Sequence, residues 1–201
     1  MSAAGIILAL TVIVSAIGLY SRKVIELAVL RPYAVARGSG YATLITSGFV
    51  HADLAHLLFN LITFYSFGFP LERRIGTAAF VALYFIVLLI SHIGTVIKHR
   101  DEPNYASLGA SGAILAVLFA AIVYFPRTRL FILPLPIPIP APLFALVYLG
   151  FSYYSSSRSA AGLARDRINH DAHIFGALAG LAFVLLTDPR QYQLLFHEIL
   201  G

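Results

Sequence analysis

Six apolar segments, separated by short polar stretches, make up most of the chain. Several are shorter than the roughly 17 to 25 residues that a membrane span needs. Short helices are tolerated at membrane depth only where irregular backbone is buried in protein or lines a water-filled cavity. The pattern predicts an all-α polytopic membrane protein, a six-helix bundle forming one domain over residues 1–201. The predicted segments are 4–20, 51–69, 77–96, 111–125, 141–154 and 172–187.

The composition agrees with a membrane protein and excludes some chemistry. Hydrophobic residues make up 59% of the chain and charged residues 11%, whereas about a quarter of the residues of soluble domains are charged. The chain has no cysteine, which excludes disulfides, a thiol nucleophile and a cysteine-ligated metal. The net charge of +5 comes from basic residues scattered in short loops, which favours contact with lipid headgroups and no nucleic-acid partner.

The connecting stretches carry their own signals. Residues 21–50 are too polar to span and too apolar for a free linker, so we expect a structured interfacial loop. Residues 133–142 alternate proline with aliphatic residues, which predicts an extended polyproline connector. The apolar run at 4–20 has no basic stretch before it and no small-residue cleavage site, so it is interpreted as a retained first span. The basic loop residues do not fix the membrane orientation.

Ser111 begins the fourth apolar segment, within the sequence Gly109-Ala110-Ser111-Gly112. His173 lies near the start of the sixth segment and is three residues from Gly176. Gly176 and Gly180 form a stripe of small residues that lets another helix approach closely. If the fourth helix is that partner, His173 reaches Ser111, the geometry of a serine nucleophile and its base.

Other polar residues in apolar segments also need a reason, because such residues are costly in lipid. His56 and Asn60 are four apart and share one helix face. Each has a structural alternative: His56 with Asn60 as a hydrogen-bond pair between helices, and His173 as a paired core histidine. The remaining polar groups also have structural interpretations. Asn169 and Asp171 are expected to cap a helix, and a role of Asp171 as third member of a catalytic triad is less favoured. Glu72 is expected to form a structural cluster with Arg73 and Arg74.

The histidines raise a different alternative, a membrane metallohydrolase, because imidazole is a common zinc ligand. This interpretation leaves the serine motif unused, and the chain has no His-Glu-x-x-His sequence. We therefore expect no metal and no cofactor. The residues that the alternative would use are His51, His56, His170 and His173.

The order of these motifs resembles the rhomboid family of intramembrane serine proteases over about residues 43 to 186. Each motif is weak alone, and the combination is specific. The matching motifs are His51-xxxx-His56-xxx-Asn60, Glu72-x-Arg74-x-Gly76, Gly109-Ala110-Ser111-Gly112 and Ala172-His173-xx-Gly176.

The resemblance implies a short central fourth helix that carries the nucleophile at its buried end. It implies Ser111 as nucleophile and His173 as general base, with an oxyanion hole formed by the His56 and Asn60 side chains and the Ser111 backbone N–H. The residues expected to support the site are His51, Gly109, Gly112 and Gly176.

The expected function is therefore an intramembrane serine endopeptidase that cleaves transmembrane protein substrates. Its expected partners are those substrates and the lipid bilayer, and its expected location is a bacterial cytoplasmic membrane. The alternative within the same family is a catalytically inactive rhomboid-like protein that binds membrane clients.

The chain departs from the family pattern in three places. Leu115 stands where well-known bacterial members have a tyrosine that stacks on the histidine, so we expect packing or another aromatic, such as Phe175 or Tyr154, to orient His173. The tryptophan-arginine pair of the first loop is absent, and residues 41–43 align there, which puts loop rigidity in question. His170 and Asp171 are more polar than the family pattern and are expected to draw water.

Overall fold

Helices cover all six predicted apolar segments in a computed structural model, which describes residues 1–132, 135–160 and 169–200. The six helices and the segments agree to within a few residues at most ends. The helices are α1 (Ala3–Tyr20), α2 (Arg22–Ala28), α3 (Pro32–Val35), α4 (Thr43–Thr46), α5 (Leu54–Ile75), α6 (Thr77–His99), α7 (Ser111–Tyr124), α8 (Ala141–Ala160), α9 (His170–Thr187) and α10 (Arg190–Leu200). The strands are β1 (Arg129–Ile132) and β2 (Leu135–Pro140).

Four of these helices, α1, α5, α6 and α9, are long and apolar enough to cross a membrane. Helix α7 is also apolar but has only 14 residues. The 20-residue α8 begins apolar and ends in a serine-rich stretch. This pattern supports the prediction of an integral membrane protein, while the count of six spans stays a prediction.

Helix α7 lies at the centre of the bundle. Every residue from 112 to 123 is buried, so the helix is surrounded on all sides by other elements. Its neighbours are α5, α6, α8, α9 and α10. A helix that is apolar all round belongs in such a position, and its shortness confirms the prediction of a buried central helix that begins at Ser111.

Helices α7 and α9 approach each other so closely that their backbones touch. A Cβ atom built on Gly176 would overlap the carbonyl oxygen of Gly112, and one built on Gly180 would overlap that of Ala116. Only glycine fits at the two α9 positions. The predicted small-residue contact between the fourth and sixth apolar segments is therefore confirmed.

The segment between α1 and α5 is a structured loop, as predicted. Three short helices and a 3-10 turn (Ser47–Phe49) fill it, and Leu30 forms an antiparallel bridge with Ser107 of the α6–α7 loop. Arg37 lies 3.6 Å from the centre of the Tyr33 ring and donates to the Arg100 carbonyl oxygen at 2.8 Å. These contacts join the two loops in a chain that has no tryptophan.

Residues 135–140 of the proline-rich segment are extended, as predicted, but they form a paired strand and not a polyproline connector. Residues 133 and 134 lie outside the described residues, and residues 141 and 142 begin α8. β2 runs antiparallel to β1, with Leu130 opposite Ile139 and Phe131 opposite Pro138. Alternate residues of a strand point their amides to the same neighbour, so prolines at every second position do not interrupt the pairing. Ala141, two residues after Ile139, donates to the Thr128 carbonyl oxygen at 2.9 Å and continues the same side.

Glu72 has a structural role, as predicted, but its partners are not the neighbouring arginines. Its buried carboxylate accepts hydrogen bonds from the amides of Ala3 and Ala4, each at 2.9 Å, and from the Thr77 hydroxyl at 2.9 Å. The first amides of a helix have no partner within the helix and carry partial positive charge. Glu72 therefore fastens the start of α1 to the end of α5.

The α7–α9 contact predicts the effect of adding one methyl group. We expect Gly176→Ala and Gly180→Ala each to lower the melting temperature in detergent, because each Cβ overlaps the α7 backbone and overpacking costs about 1 to 3 kcal/mol. Gly150→Ala on α8 is the matched control, since a Cβ there meets no atom within 4 Å. Equal stability of all three variants would contradict the close contact.

Candidate active site

A cavity of about 690 Å³ opens between α5, α6, α7, α8 and α9 and is also lined by the loop that precedes α7. All the residues predicted to react or to bind an oxyanion line it. Two predicted supporting residues, His51 and Gly176, lie outside its lining. The predicted residues in the lining are Ser111, His173, His56, Asn60, Gly109 and Gly112.

Ser111 is the first residue of α7 and is held by the turn before it. Gly109 has φ +100°, a left-handed conformation that glycine adopts readily, and its amide donates to the Ser47 carbonyl oxygen at 2.8 Å. A Cβ on Gly109 would lie 2.8 Å from His56 Cε1. No side chain among the described residues caps α7, so the first amides of this helix have no capping group.

His173 lies in the first turn of α9, and two polar groups fasten that turn. Asn169 accepts from the Ala172 amide at 3.1 Å, which confirms the predicted cap, and donates to Thr95 Oγ1 of α6 at 2.9 Å. Asp171 is not a cap: its carboxylate binds Lys98 Nζ of α6 and the Ser156 hydroxyl of α8. Asp171 therefore ties three helices together, and these contacts leave no support for a role as third triad member.

Tyr148 of α8 is the aromatic residue beside His173. Its hydroxyl lies 2.8 Å from His173 Nδ1, and the two rings lie at 30° with their centres 6.3 Å apart. An aromatic residue therefore lies against His173, as expected, but it is Tyr148; the two named candidates, Phe175 and Tyr154, are 53% and 58% exposed. Leu115 is apolar and also lines the cavity.

His51 lies behind the cavity and holds Asn60 in place. The single hydrogen of the Ser15 hydroxyl is donated to the Phe49 carbonyl oxygen at 2.9 Å, so Ser15 Oγ accepts from His51 Nδ1 at 2.8 Å. His51 Nε2 then accepts from Asn60 Nδ2 at 2.8 Å. The second N–H of Asn60 is left for a group in the cavity.

His51 is neutral in this arrangement. Burial and then the neighbouring His56 imidazole, whose ring centre is 4.9 Å away, lower the pKa of His51 to about 3. A neutral imidazole donates at one nitrogen and accepts at the other, as the contacts to Ser15 and Asn60 require. The position of His51 is the one expected of a supporting residue.

Three contributing residues were not predicted from the sequence. Ser15 lies in an apolar first segment, and Tyr148 is one of several tyrosines around the fifth. His92 of α6 lines the cavity and pairs its Nδ1 with the Leu44 carbonyl oxygen at 2.7 Å. Only His92 carried a usable signal, as an ionisable residue inside an apolar segment.

The other histidines form no metal site in the described part of the chain. No group of three or more histidine, cysteine or acidic residues there could hold a metal ion. Both ring nitrogens of His51 are already paired, with Ser15 and Asn60. His170 is buried with its ring edge-on against the Phe151 ring, and its expected effect on water stays a prediction.

The low pKa of His51 predicts an acid-sensitive fold. Between pH 3 and 6.5 the unfolded chain binds a proton at His51 that the folded protein does not, so the free energy of unfolding falls as pH falls. At about pH 5 this one group costs about 2 kcal/mol relative to about pH 7.5. We expect the loss of melting temperature between these two pH values to be smaller in His51→Gln than in the wild type. An equal loss in both would show that His51 titrates normally in the folded protein.

Known proteins share this sequence pattern. The family described as Rhomboid domain matches residues 38–190. RHOMBOID-like protein 12, mitochondrial, of Arabidopsis thaliana is 30% identical over 74% of this chain and 47% of its own length. The human Presenilin-associated rhomboid-like protein, mitochondrial, is 30% identical over 78% of this chain and 42% of its own length.

A bacterial relative is matched over more of its length. "Putative rhomboid protease YdcA" of Bacillus subtilis is 32% identical over 78% of this chain and 72% of its own length. The alignments cover less than half of the plant and human relatives. With the family match spanning most of the chain, these similarities identify the protein as a member of the rhomboid family.

Proposed function

We propose that this protein is an intramembrane serine endopeptidase that cleaves transmembrane protein substrates with a Ser111–His173 dyad. The observation that carries the proposal is the shared cavity, which Ser111 and His173 line together with His56 and Asn60. The contact of Gly176 with Gly112 supports it, because it brings the two helix starts side by side. The dyad uses no cofactor.

In the proposed reaction, Ser111 Oγ attacks the carbonyl carbon of the scissile peptide bond while His173 accepts the hydroxyl proton. His173 then gives this proton to the leaving amine, and an ester to Ser111 remains. A water molecule, activated by His173, hydrolyses that ester and restores the serine. The position of Ser111 at the start of α7 favours the attack, because the positive end of the helix dipole stabilises a developing anion.

The proposed oxyanion hole consists of the His56 and Asn60 side chains and the Ser111 backbone N–H. Such donors count most where they are fixed before the reaction and shielded from water. Asn60 is only 8% exposed, and the His51 contact holds its amide in one orientation. The His56 ring packs directly against the backbone turn at Gly109.

The proposed substrates are membrane proteins whose helices unwind readily, since a regular helix shields its peptide bonds. In the proposed architecture, residues 1–201 form a single rhomboid domain with six spans. These spans are the four long apolar helices, α8 and the short central α7. Two of the three relatives above are mitochondrial by name and one is from a bacterium. A bacterial cytoplasmic membrane therefore stays a prediction for this chain.

A fluorophosphonate probe tests the nucleophile and the base. We expect purified wild-type protein in detergent to be labelled at Ser111, and Ser111→Ala and His173→Ala to be unlabelled. Ser157→Ala is the matched control, because this exposed serine of α8 bonds only to the Tyr153 carbonyl oxygen among the described residues. Mass spectrometry of the labelled peptide locates the modified residue.

The other outcomes of this experiment distinguish the alternatives. Labelling that persists in Ser111→Ala would place the nucleophile elsewhere. A wild-type protein that binds membrane clients without labelling or cleavage would be an inactive family member. Cleavage that a chelator abolishes, while Ser111→Ala remains active, would indicate the metal mechanism.

The proposed oxyanion hole predicts a slower reaction when either of its side-chain donors is removed. We expect His56→Ala and Asn60→Ala each to lower kcat for a transmembrane substrate by about 10²- to 10³-fold, the typical contribution of one such donor. KM should change much less, because the donors bind the transition state more tightly than the substrate. A loss confined to KM would assign these residues to substrate binding.

A further inference from the structure

The contact between Tyr148 and His173 joins the base to a helix other than its own. Tyr148 Oη lies 2.8 Å from His173 Nδ1. In the neutral tautomer that leaves Nε2 able to accept the proton of Ser111, Nδ1 carries a hydrogen and donates it to the phenol oxygen. The hydroxyl of Tyr148 therefore occupies the place that a carboxylate holds in a three-residue triad.

The tyrosine ring is itself fixed by aromatic packing. It stacks on Phe144, one turn earlier on α8, with ring centres 5.5 Å apart and planes at 28°. On its other side Phe119 of the central helix α7 lies 6.1 Å away, centre to centre. Phe119 is fully buried, so Tyr148 packs against the buried core of the bundle.

A buried hydroxyl completes the arrangement. Ser152 lies one turn after Tyr148 and on the same face of α8. Its Oγ is buried and makes no hydrogen bond of ordinary geometry to the described residues. A phenol that accepts from His173 must donate its own hydrogen elsewhere, and a buried hydroxyl without a partner needs one. Ser152 answers both needs.

We propose that Tyr148 is the positioning residue of His173, and that Ser152 in turn orients the Tyr148 hydroxyl. The inference rests on the proposed function, since it assigns the group that aligns the base of that reaction. The order of donation runs from His173 Nδ1–H to Tyr148 Oη, and from Tyr148 O–H to Ser152 Oγ. The nearest acidic residue in sequence, Asp171, is engaged by Lys98 and Ser156.

This arrangement makes the alignment of the base depend on the docking of α8. Tyr148 and Phe144 face the bundle, while Leu146 and Val147 on the same helix are 72% and 62% exposed. Movement of α8 away from α7 and α9 would remove the partner of His173 Nδ1. The serine and its base then align fully only while α8 is packed in place.

The test is the rate of fluorophosphonate labelling at Ser111, followed across the pH range for Tyr148→Phe and Tyr153→Phe. Phenylalanine keeps the ring and removes the hydroxyl, so we expect Tyr148→Phe to slow labelling about five- to tenfold, as loss of one hydrogen bond predicts. The acid limb of its pH–rate profile should move to lower pH, because the protonated imidazole loses an acceptor. Tyr153→Phe should behave as the wild type, since Tyr153 is 70% exposed.

A double-mutant cycle with Ser152→Ala separates positioning from a general effect on packing. We expect Ser152→Ala to slow labelling about two- to threefold in the wild type and to have no further effect in Tyr148→Phe, because the two residues act in series. Additive effects, or a wild-type acid limb in Tyr148→Phe, would overturn the inference. If Tyr148→Phe does not fold, a wild-type rate and acid limb in Ser152→Ala overturns it.

The proposed function and this inference fail in different ways. Labelling of Ser111→Ala would end both. If Tyr148→Phe were labelled at the wild-type rate while Ser111→Ala and His173→Ala stayed unlabelled, the dyad would stand and only the role of Tyr148 would be removed.

Discussion

A single methyl group on Gly176 or Gly180 would not fit between α7 and α9, and the site depends on that closeness. The contact puts the first turn of α9 beside the first turn of α7, so that groups far apart in sequence line one cavity. Polar contacts fix the position of the first turn of α9 along the neighbouring helices: Asn169 bonds to Thr95, and Asp171 joins α6 and α8. The small residues determine the distance between the helices, and the polar contacts determine how far one helix is shifted along the other.

The buried polar groups form chains that begin on other helices. Ser15 of α1 determines which nitrogen of His51 carries the hydrogen, and His51 determines how the Asn60 amide is turned. Glu72 holds α1 by its first two amides, so the helix that carries Ser15 is itself fastened to α5. Because an unpaired polar group in an apolar interior is costly, such chains specify one arrangement. The cavity is thus supported by residues up to two helices away.

Much of this architecture could be predicted because it depends on residues that are close together in the sequence. The six apolar segments, the start of α7 at Ser111 and the glycine stripe of α9 follow from hydropathy, position and residue size. Partners between helices were harder. Nothing in the sequence around Tyr148 distinguishes it from Tyr154, because the face of α8 that packs on α7 depends on how the helices assemble. Glu72 was likewise paired in prediction with its neighbours Arg73 and Arg74, whereas its true partners lie near residue 3. The pairing of the proline-rich strand was missed for a similar reason, since nothing in the sequence of β1 marks it as the partner.

The hairpin of β1 and β2 also limits how another polypeptide can bind by strand addition. At Pro138 and Pro140 the outward side of β2 offers carbonyl oxygens but no amide hydrogens. A strand added along this edge of β2 would lack two of its donors, so the edge is unsuited to pairing with an unwound segment of another protein. This edge of β2 is therefore closed to an added strand, and an extended chain that bound along it would need backbone donors from another element.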